Sequence, residues 1–285
     1  MPEVKKNQKS SGRKAGVTAG LICMLLFVLL IAFSWAAEYR PALHIKSEWT
    51  WTDTLIQNSD MILAVVFLLL TVIPFYLIFD KRKAQARDLV PIALMAAVCV
   101  VGRAAFAIVP LPNFKPVTAI IMITAIALGP EAGYLTGALA ALLSNFLFGQ
   151  GPWTPWQMFT WGILGLFAGV LYRTGVFGPV GQAETDRNGK RKKPIVLCVT
   201  GFFFGILYGW IMNLQYVIGY VRPLNLHAIG VVYLQSIYYD ISHGICTAIV
   251  LWLAAEPWVR KMLRIKKKFG LDAEEKNYKM PPAKY

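Results

Sequence analysis

Eight apolar runs divide this chain, and most approach the roughly 20 residues that an α-helix needs to cross a bilayer. By window hydropathy they fall at about 17–37, 61–79, 89–109, 117–128, 132–148, 157–174, 195–219 and 231–255. Hydrophobic residues make up 56% of the 285 residues, mean hydropathy is +0.52, and the intervening segments are too short for a soluble domain. The expected fold class is therefore all-α and polytopic, in a membrane. Run 117–128 is short and bounded by Pro116 and Gly129-Pro130, so a tilted, partly re-entrant or slightly extended helix is expected there.

A net charge of +14 would suggest nucleic acid in a soluble protein. The positions of the charges argue otherwise. With the N-terminus inside, segments 1–16, 80–88, 173–194 and 256–285 hold 24 of the 29 Lys and Arg, whereas the outer segments hold Arg40, Lys46, Lys115 and Arg222. That is a positive-inside distribution, and it predicts a multi-pass membrane protein with both termini cytoplasmic. The basic segments can attract anionic lipid, and no nucleic-acid partner is expected.

The first run has the basic start of a signal peptide and a Ser34-Trp35-Ala36 exit. It is longer than the usual apolar stretch of about 7–15 residues, so a retained anchor is expected. Three regions follow: an N-terminal extension, 1–87, with two transmembrane helices and an outer loop 38–60; a six-helix core, 88–258; and a basic cytoplasmic tail, 259–285. Cys23, Cys99, Cys198 and Cys246 lie in four different runs without paired spacing, which predicts buried thiols rather than disulfides or a metal.

Within the core, small residues recur every fourth position: Gly129, Gly133, Gly137, Ala141; Gly201, Gly205, Gly209; Gly165, Gly169; and Ala93, Ala97. Such rows let helix backbones approach closely in lipid. Internal packing is the expectation for most of them. Ala93 and Ala97 serve equally well as a smooth patch for a partner helix. The two long ladders lead, four residues on, to Asn145 and Asn213. Neutral amides are costly in lipid without partners, and these two are expected to line a cavity in the outer third of the bilayer, near Trp210, Gln215, Tyr216 and Tyr220. The last run carries Tyr233, Gln235, Ser236, Tyr238, Tyr239, Asp240 and His243. Arg103 and Asp240 lie at depths of about 10 and 14 Å by helical rise, and a structural ion pair between them is expected.

Above the amides, Gly149 to Trp161 reads GQGPWTPWQMFTW. Indoles supply π-faces, glutamines supply neutral hydrogen-bonding groups, and prolines restrict the connector's shapes. The segment is expected to act as a preformed lid for a bulky, mostly uncharged solute. Enzymatic readings find no support: GxxxxGK[ST] and HExxH are missing, paired intramembrane carboxylates are missing, and the adjacent Ser242 and His243 point apart on a helix. No catalytic residue, metal or cofactor is expected.

The run from Asn113 to Met158 (NFKPVTAIIMITAIALGPEAGYLTGALAALLSNFLFGQGPWTPWQM) resembles the substrate-binding S component of energy-coupling factor (ECF) transporters, most closely the cobalamin-type branch. The resemblance implies a membrane subunit that captures a vitamin and works with a coupling transmembrane subunit and two ATPases. It implies ATP hydrolysis in those partners, and it matches Ala93 and Ala97 to the family's Ala-x-x-x-Ala docking motif. The candidate substrate site comprises Asn113, Phe114, Lys115, Asn145, Gln150, Trp153, Trp156, Gln157, Trp210, Asn213, Tyr216 and Tyr239. A lid rich in Trp, Gln and Asn suits a corrinoid, with its apolar macrocycle and amide rim. Two readings from other classes are a proton-coupled secondary transporter relaying through Asp240 and His243, and a membrane sensor or scaffold.

Overall fold

The computed structural model describes Trp51 and residues 86–181, 194–221 and 225–268. Runs 17–37 and 61–79, the outer loop and the end of the basic tail lie outside the described residues. The described residues are predominantly helical, with no strand among them, as lipid demands when a backbone must satisfy its own polar groups. The helices are α1 (Ala86–Ala105), α2 (Val117–Leu128), α3 (Pro130–Phe148), α4 (Trp153–Arg173), α5 (Ile195–Tyr220) and α6 (Leu226–Lys268), with a short 3-10 turn at Phe106–Ile108. Among the described residues α1 from Leu89, α5 and α6 are long and apolar enough to cross a membrane.

Helix α2 is the centre of the bundle. Its 12 residues reach only about 18 Å, and every residue from Val117 to Ala127 is buried. Protein surrounds it on all sides, so it has no need to match the bilayer. Its end is sharp because Gly129 takes φ 108°, and Pro130 then opens α3 where its missing N–H costs nothing.

Two close helix pairs flank this centre. A Cβ on Gly165 of α4 would stand 2.5 Å from the Gly133 carbonyl oxygen of α3. One on Gly205 of α5 would stand 2.5 Å from the Gly244 Cα of α6. The glycine ladders are thus packing faces, and only a hydrogen fits between the backbones. The exterior is apolar instead: Val90, Leu94, Val101, Phe146, Phe203, Leu234 and Leu253 are all exposed.

Two boundaries differ from those expected. Helix α6 does not stop near 258 but continues to Lys268, because Val259 and Met262 are buried against the core. Glu256 there accepts a hydrogen bond from the Gly181 backbone. The segment expected as a lid connector is mostly helix. Only residues 149–152 link α3 to α4, and Trp153, Trp156 and Gln157 belong to the first turns of α4.

Candidate functional site

At one end of the bundle, α1 and α3 finish where α4 begins. Their termini place a connected set of polar side chains below Trp153. Arg103 Nη1 donates to Ser144 Oγ (2.5 Å) and to Asn145 Oδ1 (2.8 Å). Asn145 Nδ2 donates in turn to Thr154 Oγ1 (2.9 Å) and Gln157 Oε1 (2.8 Å), and Gln157 Nε2 donates to the Tyr208 hydroxyl (3.1 Å). All six residues are buried. The Tyr208 ring stacks on Trp161 at 4.9 Å and 12°. This network ties four helices together at one depth, and each amide uses both a donor and an acceptor.

Two donors in this cluster are left over. Arg103 Nε and Trp161 Nε1 are buried without a hydrogen-bond partner. The guanidinium carbon lies 5.4 Å from the Trp161 ring centroid and 4.6 Å from that of Phe148. Lys115 approaches the same Phe148 ring, with Nζ 5.3 Å from its centroid. Burial, and then the neighbouring guanidinium, hold the Lys115 ammonium below the usual lysine range. Neither cation pairs with a carboxylate among the described residues.

The connector carrying Lys115 is anchored from below. Asn113 adopts φ 56°, and its carbonyl lies 3.1 Å from His243 Nδ1, while His243 Nε2 meets Thr118 Oγ1 at 2.8 Å. A carbonyl only accepts, so Nδ1 carries the proton and, in the neutral ring, Nε2 accepts from the threonine. Phe114 stacks on Phe106 at 6.1 Å.

The expected ion pair between Arg103 and Asp240 is not present. Asp240 belongs to a separate cluster between α5 and α6, where Oδ2 accepts from Ser236 Oγ (3.0 Å) and Asn213 Nδ2 (3.3 Å). Asp240 also fills the space that Gly209 leaves beside α6. Helix α1 delivers Arg103 to α3 and α4 instead, because the bundle places α1 beside α3. For the same reason Asn145 and Asn213, expected to share one cavity, occupy different clusters.

The remaining expected residues divide by exposure. Gln150 is an exposed brace: its amide donates to the Leu142 carbonyl (3.0 Å) and its oxygen accepts from Thr154 (2.9 Å). Trp153 is partly exposed and lies over Gly151, with its indole N–H directed at the Gly149 carbonyl (3.4 Å). Trp156 is buried against Phe159, Ile211, Met212 and Ile218. It is a packing residue between α4 and α5, not a free face of a lid. Trp210, Tyr216 and Tyr239 are exposed on the flank of α5 and α6, each beside another tyrosine. Ala93 and Ala97 are exposed on α1. Ser144, Thr154, Trp161 and Tyr208 were not expected in the network. Ser144 and Thr154 were within reach of a closer reading, since each adjoins a residue already singled out. Trp161 closes the segment expected as a lid, whereas nothing in the spacing marks Tyr208.

The described residues thus form a helical bundle with an apolar exterior and a buried polar network at one end. Residues 83–256, more than half of the chain, match the family model described as ECF-type riboflavin transporter, S component. The chain belongs to that family. It is a substrate-binding subunit of an ECF-type importer and a multi-pass cell-membrane protein; S components are transporter subunits, not enzymes. No curated protein and no solved structure matches the chain significantly.

Proposed function

We propose that this protein captures a flat, amphipathic vitamin of the riboflavin type at the Trp153-roofed end of the bundle. It then passes that cargo to a coupling membrane subunit energised by two ATPases. The observation that carries the reading is the network of Arg103, Asn145, Thr154, Gln157 and Tyr208, set beside the stacked Trp161–Tyr208 wall. A tricyclic ring lies flat on such a wall, and its edge carbonyls and imide N–H exchange with the amides and hydroxyls. The matching family is described by riboflavin, which supports the same choice.

The roofed end faces outward in this reading, as the basic inner segments favour. Both termini are then cytoplasmic. Cobalamin is the second reading, favoured by the exposed indoles and phenols of Trp153, Trp210, Tyr216 and Tyr239. Riboflavin requires less rearrangement, because the polar groups are already bonded to one another over a short span, and a corrinoid must part more of them.

The test is equilibrium binding by the purified full chain in detergent, with riboflavin followed by quenching of its fluorescence and cobalamin by its absorption. Saturable one-to-one riboflavin binding that a cobalamin excess leaves intact is the expected result. Saturable cobalamin binding without riboflavin binding assigns the corrinoid instead. Retention of neither sinks both.

A further inference from the structure

Two cations converge on one aromatic ring at the mouth of the site, and nothing acidic among the described residues balances them. Arg103 and Lys115 flank Phe148 at 4.6 and 5.3 Å. Arg103 is 7% exposed, and among the described residues its side chain donates to a serine hydroxyl and an asparagine oxygen. Its Nε has no partner, and neither has the adjacent Trp161 Nε1. A buried guanidinium without a carboxylate is unfavourable unless another anion reaches it. Asp240, the one buried carboxylate among the described residues, is held by Asn213 and Ser236. Glu131 is bound to Arg173 (3.4 Å), at the opposite ends of α3 and α4.

We infer that, between ligands sharing one ring system, the site prefers the one bearing an acidic group, a carboxylate or a phosphate, held between Arg103 and Lys115 beside Phe148. The inference rests on the reading that the roofed end is the substrate site, and it adds a charge preference to that reading. An oxyanion there accepts from Arg103 Nε and Trp161 Nε1 together and attracts the Lys115 ammonium. It thereby satisfies both leftover donors and offsets the excess positive charge. Neutral ligands satisfy the donors but leave the charge.

The test uses the full chain in phosphatidylcholine nanodiscs and two matched pairs of probes. Riboflavin is compared with its 5′-phosphate by flavin fluorescence, and 2-naphthoate with 2-naphthamide by tryptophan fluorescence. The acidic member of a pair should bind at least about tenfold tighter, the increment of one buried charge-assisted contact. A measurable preference should survive about 1 M salt, where screening acts over about 3 Å and buried contacts are screened least. Lys115→Gln should reduce the preference severalfold, and Lys115→Arg should restore most of it. No acid preference in either pair overturns the inference. So does a preference that vanishes in salt and is unchanged in Lys115→Gln, which is adsorption to a basic chain. A naphthoate preference without any flavin binding removes riboflavin as cargo and leaves the acid preference standing.

Discussion

Asn145 shows how much one buried amide can organise. It accepts from the Arg103 guanidinium and donates to Thr154 and Gln157 in the first turns of α4. Its loss leaves Arg103, Thr154 and Gln157 short of a partner at once, and each buried polar group left unpaired costs about 1–3 kcal/mol. Asn145→Ala should therefore weaken substrate binding by about tenfold or more and lower the melting temperature. Asn213→Ala, acting on the separate Asp240 cluster, should cost the site less. Equal losses of affinity in a side-by-side titration would place Asn213 back in the binding cavity. Both amides were legible in the sequence as endpoints of glycine ladders. Their different partners were not, because a ladder specifies a helix face but not the neighbour that face meets.

At the scale of helices, small residues serve two ends that sequence spacing does not separate. Gly137 and Gly165 are enclosed between α3 and α4, and a side chain at either would press on facing backbone. Overpacking of that kind costs about 1–3 kcal/mol. The row Ala93 and Ala97 has the same spacing, yet it is exposed along α1 beside Val90, Leu94 and Val101. We expect Ala93→Trp with Ala97→Trp to leave folding and substrate binding intact while abolishing uptake in cells, since an indole blocks close approach by a coupling helix. Gly137→Leu should instead reduce the yield of folded protein. Loss of binding in the variant carrying Ala93→Trp and Ala97→Trp would assign that row to internal packing.

For the whole molecule, the proposed function requires that the energy for import come from partner subunits. Expression of this chain alone should confer vitamin binding on cells without concentrative uptake. Co-expression with a coupling membrane subunit and two ATPases should produce uptake that stops when ATP is depleted. Uptake by the chain alone that collapses with the proton gradient would favour a secondary transporter working through Asp240 and His243.

The membrane setting, the helical class and the six-helix core were determined by the sequence itself. Run length, charge asymmetry and fourfold spacing are local along the chain, and lipid permits few folds that use them. The motifs from Asn113 to Met158 likewise carried the family. Tertiary structure alone decided which polar groups meet. Arg103 left its expected partner Asp240 for Ser144 and Asn145, and Trp156 turned from the lid into the contact between α4 and α5. Tyr208 entered the site without any signal of its own. Each outcome depends on the rotation and neighbours of a helix, set by backbone contact at glycines along the packed helices. A side chain's partner in a bundle is a property of the packed pair of helices, and neither helix encodes it separately.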